Sequence, residues 1–227
     1  MLATVHQPTF LPYLGFFRKA AQADIFVVYD TAQYSRGDWH NRNRILGQGG
    51  PEWLTVPVTA RHEADFLNAK LSDSKFVSKH LSAIRQSYAK APFYDRYYPE
   101  IERLYRLPAT SLAEFNWRFI EWIFSLIGIA PKIIHTSEIP GIQNLKSTEA
   151  LVAIVQAVGA DAYLSGPDGR NYLDASKFSE AGIALLFNEF NAQEYRQLRT
   201  GTFVPNLSII DALMYIGAEG VRSQIGI

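Results

Sequence analysis

Cysteine is absent from the 227-residue chain, which excludes disulfides, thiolate nucleophiles and cysteine-bound zinc. That absence fits a cytoplasmic protein, the localisation expected here. Net charge is missing too. Lysine plus arginine equals aspartate plus glutamate at 22 each, so no global field draws the chain to nucleic acid or to an anionic membrane, and an anionic ligand must be met locally. Long apolar runs are also lacking. The most apolar helix candidate, residues 115–129, contains Asn116, Arg118 and Glu121 and is too short and too charged to cross a bilayer. The N-terminus has no basic stretch before its apolar residues, and Gln7, Pro8 and Pro12 interrupt them, so no secretion signal is expected. No GxGxxG, Walker A or GxSxG pattern occurs. His40, His62, His80 and His135 show no metal-ligand spacing, so no metal site is expected, and the sequence names no cofactor.

What is present reads as α/β. Residues 2–5 form an apolar strand ended by Pro8 and Pro12, residues 13–22 a helix, and Ile25-Phe26-Val27-Val28-Tyr29 a strand covered on both faces, flanked by Asp24 and Asp30. A strand, a helix and a strand within thirty residues make a βαβ unit. The Gly47-Gln48-Gly49-Gly50 turn between Arg44-Ile45-Leu46 and Trp53-Leu54-Thr55-Val56 predicts a hairpin, which Pro57 places at a sheet edge. Helices are expected over 75–91, 94–106 and, from a Ser111–Glu114 capping box, onward through an apolar stripe of Leu112, Phe115, Phe119, Trp122 and Leu126. Ser147 is read as the cap of a helix that Gly159 ends; strands follow at 132–136, 162–164 and 183–187, with helices at 174–181 and 208–216. The alternation predicts a mostly parallel, Rossmann-like sheet with an edge hairpin and a helical insertion near 72–130, as one domain over 1–227.

Ligands of open α/β sheets bind beyond the carboxyl ends of the strands, so the loops after Val5, Tyr29 and Leu164 are the first places to look. The first offers His6 and Gln7, followed by Tyr13. His6 ends its strand, where an imidazole can work as a general base, and the two prolines stiffen its loop. The second offers Asp30, expected to emerge near His6, and Gln33. The third, Ser165-Gly166-Pro167-Asp168-Gly169-Arg170, can turn backbone N–H groups toward an anion or simply form a turn. Trp39-His40-Asn41-Arg42-Asn43-Arg44 packs an aromatic, two amides and two guanidiniums into six residues; in an extended segment Arg42 and Arg44 share one face and Asn41 and Asn43 the other. Paired guanidiniums suit a phosphate or a carboxylate.

His6-Gln7-Pro8 with Pro12-Tyr13-Leu14-Gly15, Asp30 with Gln33, residues 39–44, Trp53-Leu54-Thr55-Val56-Pro57-Val58, Leu164-Ser165-Gly166-Pro167 with Tyr172-Leu173-Asp174, and residues 205–211 together resemble the WbqC-like protein family, from residue 2 to about 217. The resemblance implies a link to O-antigen and other surface polysaccharides. It also implies acyl or aminoacyl transfer, glycyl transfer among them, to a nucleotide-linked amino sugar, with His6, Gln7, Asn41, Arg42, Asn43 and Arg44 as site candidates. In that reading His6 is the base, Asp30 its orienter, Arg42 and Arg44 bind phosphate, and Gln7, Asn41 and Asn43 place a small-molecule substrate. A weaker similarity sets Tyr13 to Phe16 where HIGH-type nucleotidylyltransferases keep His-x-Gly-His; Tyr13 and Phe16 replace both histidines, and phenylalanine cannot donate to a phosphate. Nucleotidyl transfer and non-catalytic sugar-nucleotide binding are the alternatives, and the oligomeric state is left open.

Overall fold

The computed structural model describes every residue except 62, 63, 143, 144 and 199, so His62 lies outside the described residues. Strand β1 (Leu2–His6) leads through the Pro8–Pro12 loop into α1 (Leu14–Gln22) and β2 (Ile25–Val28). Next come a hairpin of β3 (Arg42–Gly47) and β4 (Gly50–Thr55), a short pair β5 (Val58–Thr59) and β6 (Lys70–Leu71), and three helices, α2 (Lys75–Tyr88), α3 (Tyr94–Arg106) and α4 (Leu112–Ile127). The chain then returns through β7 (Lys132–His135), α5 (Ser147–Ala157), β8 (Ala162–Ser165), α6 (Ala175–Glu180), β9 (Ala184–Phe187) and α7 (Ile209–Ile225).

The central sheet has the order β7-β2-β1-β8-β9 and is parallel throughout. Its middle strands are apolar runs because both faces are covered. Ala3, Val5, Ile25, Val27 and Tyr163 pack on Leu151, Ile154 and Val155 of α5 and Phe178 of α6, while Phe26 and Val28 pack with Phe16 and Phe17 of α1, Phe124 of α4 and residues of α7. The pairing of Val28 with His6 on one side and His135 on the other sets these two histidines on the α1/α4 face, two strands apart. Neighbouring strands lie about 4.8 Å apart, so their backbones are about 10 Å from each other. The chain winds outward through β1, β2 and β7, then crosses back to β8 beside β1. That reversal places the topological switch point at the carboxyl ends of β1 and β8.

Several local expectations are corrected. The hairpin forms a two-stranded sheet of its own instead of an edge of the central one, and Pro57 lies beyond β4. The Ser147 side chain does not cap α5; the residue sits at φ +52° as the first helical position. The last helix runs to Ile225, well past 216, with a break at Gly217 (φ +66°) that a non-glycine residue would resist, its Cβ colliding with Phe93. Ser111 does cap α4, accepting from the Glu114 N–H. The tyrosines of the helical segment are mostly structural: Tyr88, Tyr97, Tyr98 and Tyr105 are buried. Tyr88 donates to the buried Asp211 of α7, which also accepts from Tyr195 and Gln197. Burial raises the Asp211 pKa, and these three neutral donors stand in for a cation.

Candidate functional site

A cleft of about 650 Å³ opens at the carboxyl ends of the strands, lined by Val5 of β1 and Gln7 just after it, Tyr29, Thr31 and Gln33 after β2, Tyr163 of β8, Tyr172, Asp65, and Lys146 and Ser147 at the start of α5. The positive end of the α5 dipole and the Lys146 ammonium both favour a negative group here. A cleft of about 580 Å³ on the helical side, lined by Leu71, Phe76, Tyr105 and Phe115, has Asp73 and Arg106 as its charged groups and lies away from the strand ends. We place the site at the strand ends, where polar groups from several loops converge.

Period-2 alternation turns Val5 and Gln7 toward this cleft and His6 to the other face, where its ring meets Phe16 edge-on at 4.7 Å. His6 Nδ1 lies 2.9 Å from the Gln7 carbonyl oxygen. A carbonyl can only accept, so Nδ1 carries the proton and Nε2 keeps the lone pair, with no partner among the described residues. Behind His6 stands a residue that the sequence reading passed over. Lys19 of α1 is 4% exposed, and its ammonium makes one 3.3 Å hydrogen bond, to the Val5 carbonyl, with no carboxylate partner among the described residues. Burial lowers the Lys19 pKa to about 7. Burial, reinforced by the Lys19 charge, holds His6 well below the ordinary histidine range, so its imidazole is neutral at physiological pH.

The loops after β1 and β8 approach each other across the switch point: burial raises the Tyr13 phenol, and the charge of Asp168 raises it further. Ser165 is buried at the end of β8, and Gly166 opens a 3₁₀ turn, Pro167–Asn171, in which the Gly169 N–H donates to the Gly166 carbonyl. That donor is therefore used within the turn. Gln33 pairs with Asp65 in an isolated bridge at the rim of the cleft.

Asp30 is 3% exposed and does not orient His6. Its Oδ2 accepts from His135 Nδ1 at 2.9 Å and from the Ser137 hydroxyl at 2.8 Å; its Oδ1 accepts from the Thr136 hydroxyl and the Ser137 N–H, both at 2.9 Å. The cause is strand order: Asp30 follows β2, whose outer neighbour is β7, and the last residue of β7 with the turn after it supplies all four donors. Burial opposes ionisation, yet these hydrogen bonds hold the Asp30 pKa below the usual carboxylate value. The hydrogen bond to Asp30 raises His135, and the charges of Asp30, Glu138 and Glu121 add to it. The result is a histidine–carboxylate pair whose imidazole has no Nε2 partner among the described residues and stays 31% exposed beside Trp117. Thr31, on the cleft wall, hydrogen-bonds Thr136 and so links cleft and pair.

In residues 39–44 the alternation holds: Asn41 and Asn43 are buried, Arg42 and Arg44 half-buried. The two amides stand behind the site. Asn43 donates to the Phe10 and Leu11 carbonyls at 3.2 and 2.7 Å, fixing Leu11 at φ +42°, and Asn41 donates to Val56. Asn116 of α4, absent from the sequence-based site, joins Pro8 and His40 by donating to both carbonyls at 2.5 and 2.8 Å. The β1 loop is thereby locked to the hairpin. Arg42 and Arg44 do not line the cleft; they stack with Trp39 and Trp53 on the outer face of the hairpin.

Comparison with known proteins decides the relationship: the model of the WbqC-like protein family matches residues 7–223. The chain belongs to the WbqC-like protein family. A family-length relative, the uncharacterized protein Rv1507c of Mycobacterium tuberculosis, is 30% identical over 217 residues, 94% of this chain and 93% of its own. The WbqC-like match begins at Gln7, directly after His6, and takes in the remaining site candidates together with Lys19, Asn116 and His135. Among the described residues no helix is long and apolar enough to cross a membrane, and no group of three or more acidic or histidine side chains is placed to hold a metal ion.

Proposed function

We propose that the protein transfers an acyl or aminoacyl group, such as glycyl, to the amine of a nucleotide-linked amino sugar during surface-polysaccharide assembly. The observation that carries this reading is His6: a neutral imidazole at the switch point, its tautomer set by the Gln7 carbonyl and its Nε2 without a partner among the described residues. For this the amino sugar must reach past the end of β1, from the cleft to the α1/α4 face on which His6 lies. Its ammonium gives one proton to Nε2, the amine attacks the carbonyl carbon of an activated donor, and its second proton leaves with the donor's leaving group. A tetrahedral oxyanion forms and collapses as the donor's leaving group departs. Gln7 and Gln33 position the substrates, Tyr163 and Tyr172 shape the far wall, and Lys146 with the α5 N-terminus receives negative charge on the donor; Tyr13, Ser165 and Gly166 lie outside the cleft lining. Asn41 and Asn43 act through the backbone they hold.

The test is transfer to a nucleotide-linked amino sugar, with aminoacyl adenylates and acyl thioesters offered in turn and the product read by mass. His6→Asn, which keeps a donor for the Gln7 carbonyl, is expected to lower transfer at least ~100-fold with little change in Tm. Full activity in that variant would sink the assignment. Against adenylyl or nucleotidyl transfer stands Phe16, buried against His6 where a HIGH-type enzyme keeps a histidine. ATP-dependent release of pyrophosphate would restore that alternative.

A further inference from the structure

The outer face of the hairpin carries a cluster that the cleft does not absorb. Trp39 and Trp53 are 45% and 43% exposed, with ring centres 5.3 Å apart. The Arg42 guanidinium lies 4.3 Å from the centre of Trp53, and that of Arg44 lies 5.7 Å from both indoles. Arg103, Arg106, Arg118 and Arg170 each have a glutamate partner, whereas Arg42 and Arg44 have none among the described residues, and the Nε of each is buried without a hydrogen bond. Packing accounts for little of this arrangement: the indoles stay nearly half exposed, and cation–π contact at a surface contributes only about 0.5–1 kcal/mol.

We propose that this cluster binds a nucleoside diphosphate, the base stacked on an exposed indole and the diphosphate on Arg42 and Arg44. Charge and shape both point there. Stacking pre-orients the planar guanidiniums, whose fork matches phosphate oxygens, and an indole face accepts any base because every base has a π-face. Position supports it further. The Phe10 N–H donates to the Trp39 carbonyl, and Asn43 and Asn116 clamp the same loop, so the cluster is held at a fixed distance from Gln7 in the cleft. Gln7 and Phe10 are three residues apart, at most about 11 Å along the chain. A sugar diphosphate bound on this outer face would have to pass the edge of the hairpin to bring its sugar to the end of β1. That direction rests on the proposed transfer reaction; binding of the nucleotide does not.

The test titrates the full-length protein with uridine diphosphate, guanosine diphosphate, uridine, inorganic pyrophosphate and a uridine-diphosphate amino sugar, read by tryptophan fluorescence and calorimetry. Both diphosphates are expected to quench fluorescence and to bind at least tenfold more tightly than uridine or pyrophosphate. Trp53→Ala is expected to weaken them about tenfold. Arg42→Lys with Arg44→Lys, which keeps charge and removes the fork, is expected to weaken them severalfold, with circular dichroism checking the fold of each variant. Pyrophosphate binding as tightly as the diphosphates, or diphosphate affinity untouched by Trp53→Ala, would overturn the proposal, as would absence of binding. Tight diphosphate binding without transfer would uphold this site and count against the transfer reaction. Transfer with no effect of the hairpin variants on binding would do the reverse.

Discussion

Two histidines end two strands of one sheet on one face, and their surroundings drive them apart. His6 ends β1 among Phe16 and the buried Lys19, with the Gln7 carbonyl as its one hydrogen-bond partner among the described residues; His135 ends β7 on an ionised carboxylate, partly open to water. Burial beside a cation makes the first a base that is always deprotonated near neutrality. Pairing with Asp30 makes the second an acid that holds its proton longer. Titratable groups pushed in opposite directions within one site are the arrangement from which general acids and bases are drawn. The sequence pairing of Asp30 with His6 thus joined the carboxylate to the wrong histidine.

The largest way to break this comparison is to remove the carboxylate. Asp30→Ala removes the buried carboxylate that accepts all four hydrogen bonds from His135, Thr136 and Ser137; Thr136 keeps Thr31 as a partner while His135 and Ser137 can turn to water, and the loss is expected to destabilise the fold by roughly 3–4 kcal/mol in chemical denaturation. In the same variant, histidine NMR titration should show His135 falling back toward its ordinary range while His6 still fails to titrate near neutrality. A shift of His6 with His135 unmoved would mean that Asp30 acts on the other end after all.

Which parts of this were readable in advance follows from range. The covered strands and the Ser111 cap are local patterns, so Ile25 to Val28 and the Ser111–Glu114 box announce themselves. The face alternation of Asn41 to Arg44 is local as well. The Asp30–His135 pair depends on β7 docking beside β2 across about a hundred residues, which no local pattern encodes. One signal was there: His135, like His6, directly ends an apolar strand. Lys19 carried another, since it falls between Phe16, Phe17 and Ala20 on a short helix whose buried side leaves no room for a solvated charge. Ser147 misled because serine before a helical run normally caps it, whereas here the chain enters the helix through a positive φ.

A second, opposite effect is expected at the His6 end. Lys19→Met removes an unpaired buried amine and should stabilise the protein by roughly 3 kcal/mol at neutral pH. The sign follows from linkage. With a folded pKa of about 7 against 10.5 unfolded, the unfolded chain binds the extra proton between those values. Stability contributed by the neutral amine is therefore restored as pH rises through that window, by up to about 1.4 kcal/mol per unit, and the penalty is complete below it. Denaturation midpoints across pH 6–10 should show this slope in the parent and lose it in Lys19→Met. If the variant is more stable yet transfers poorly, the lysine is kept for the site, by holding His6 neutral; unchanged transfer would leave it without that role.

The smallest effect sharpens the comparison most. His135→Gln keeps a hydrogen-bond donor for Asp30 but cannot become a cation, so only the charged part of the pair is lost, about 1 kcal/mol or less given its partial exposure. Because the folded pKa of His135 is raised, its contribution is fully present below the unfolded value near 6.5 and disappears as pH climbs through the folded value. Asp30, whose folded pKa is depressed, sets the lower limit: its share is lost as pH falls through that value, below 3.8. His135→Gln should therefore be destabilised most between about pH 4 and 6.5 and converge on the parent in mild alkali, where the Lys19 end is gaining stability. Raising the pH across neutrality thus weakens one end of the face and strengthens the other. A His135→Gln deficit that grew with pH would show that the imidazole sits neutral on Asp30, and the division into a proton-holding and a proton-accepting end would fail.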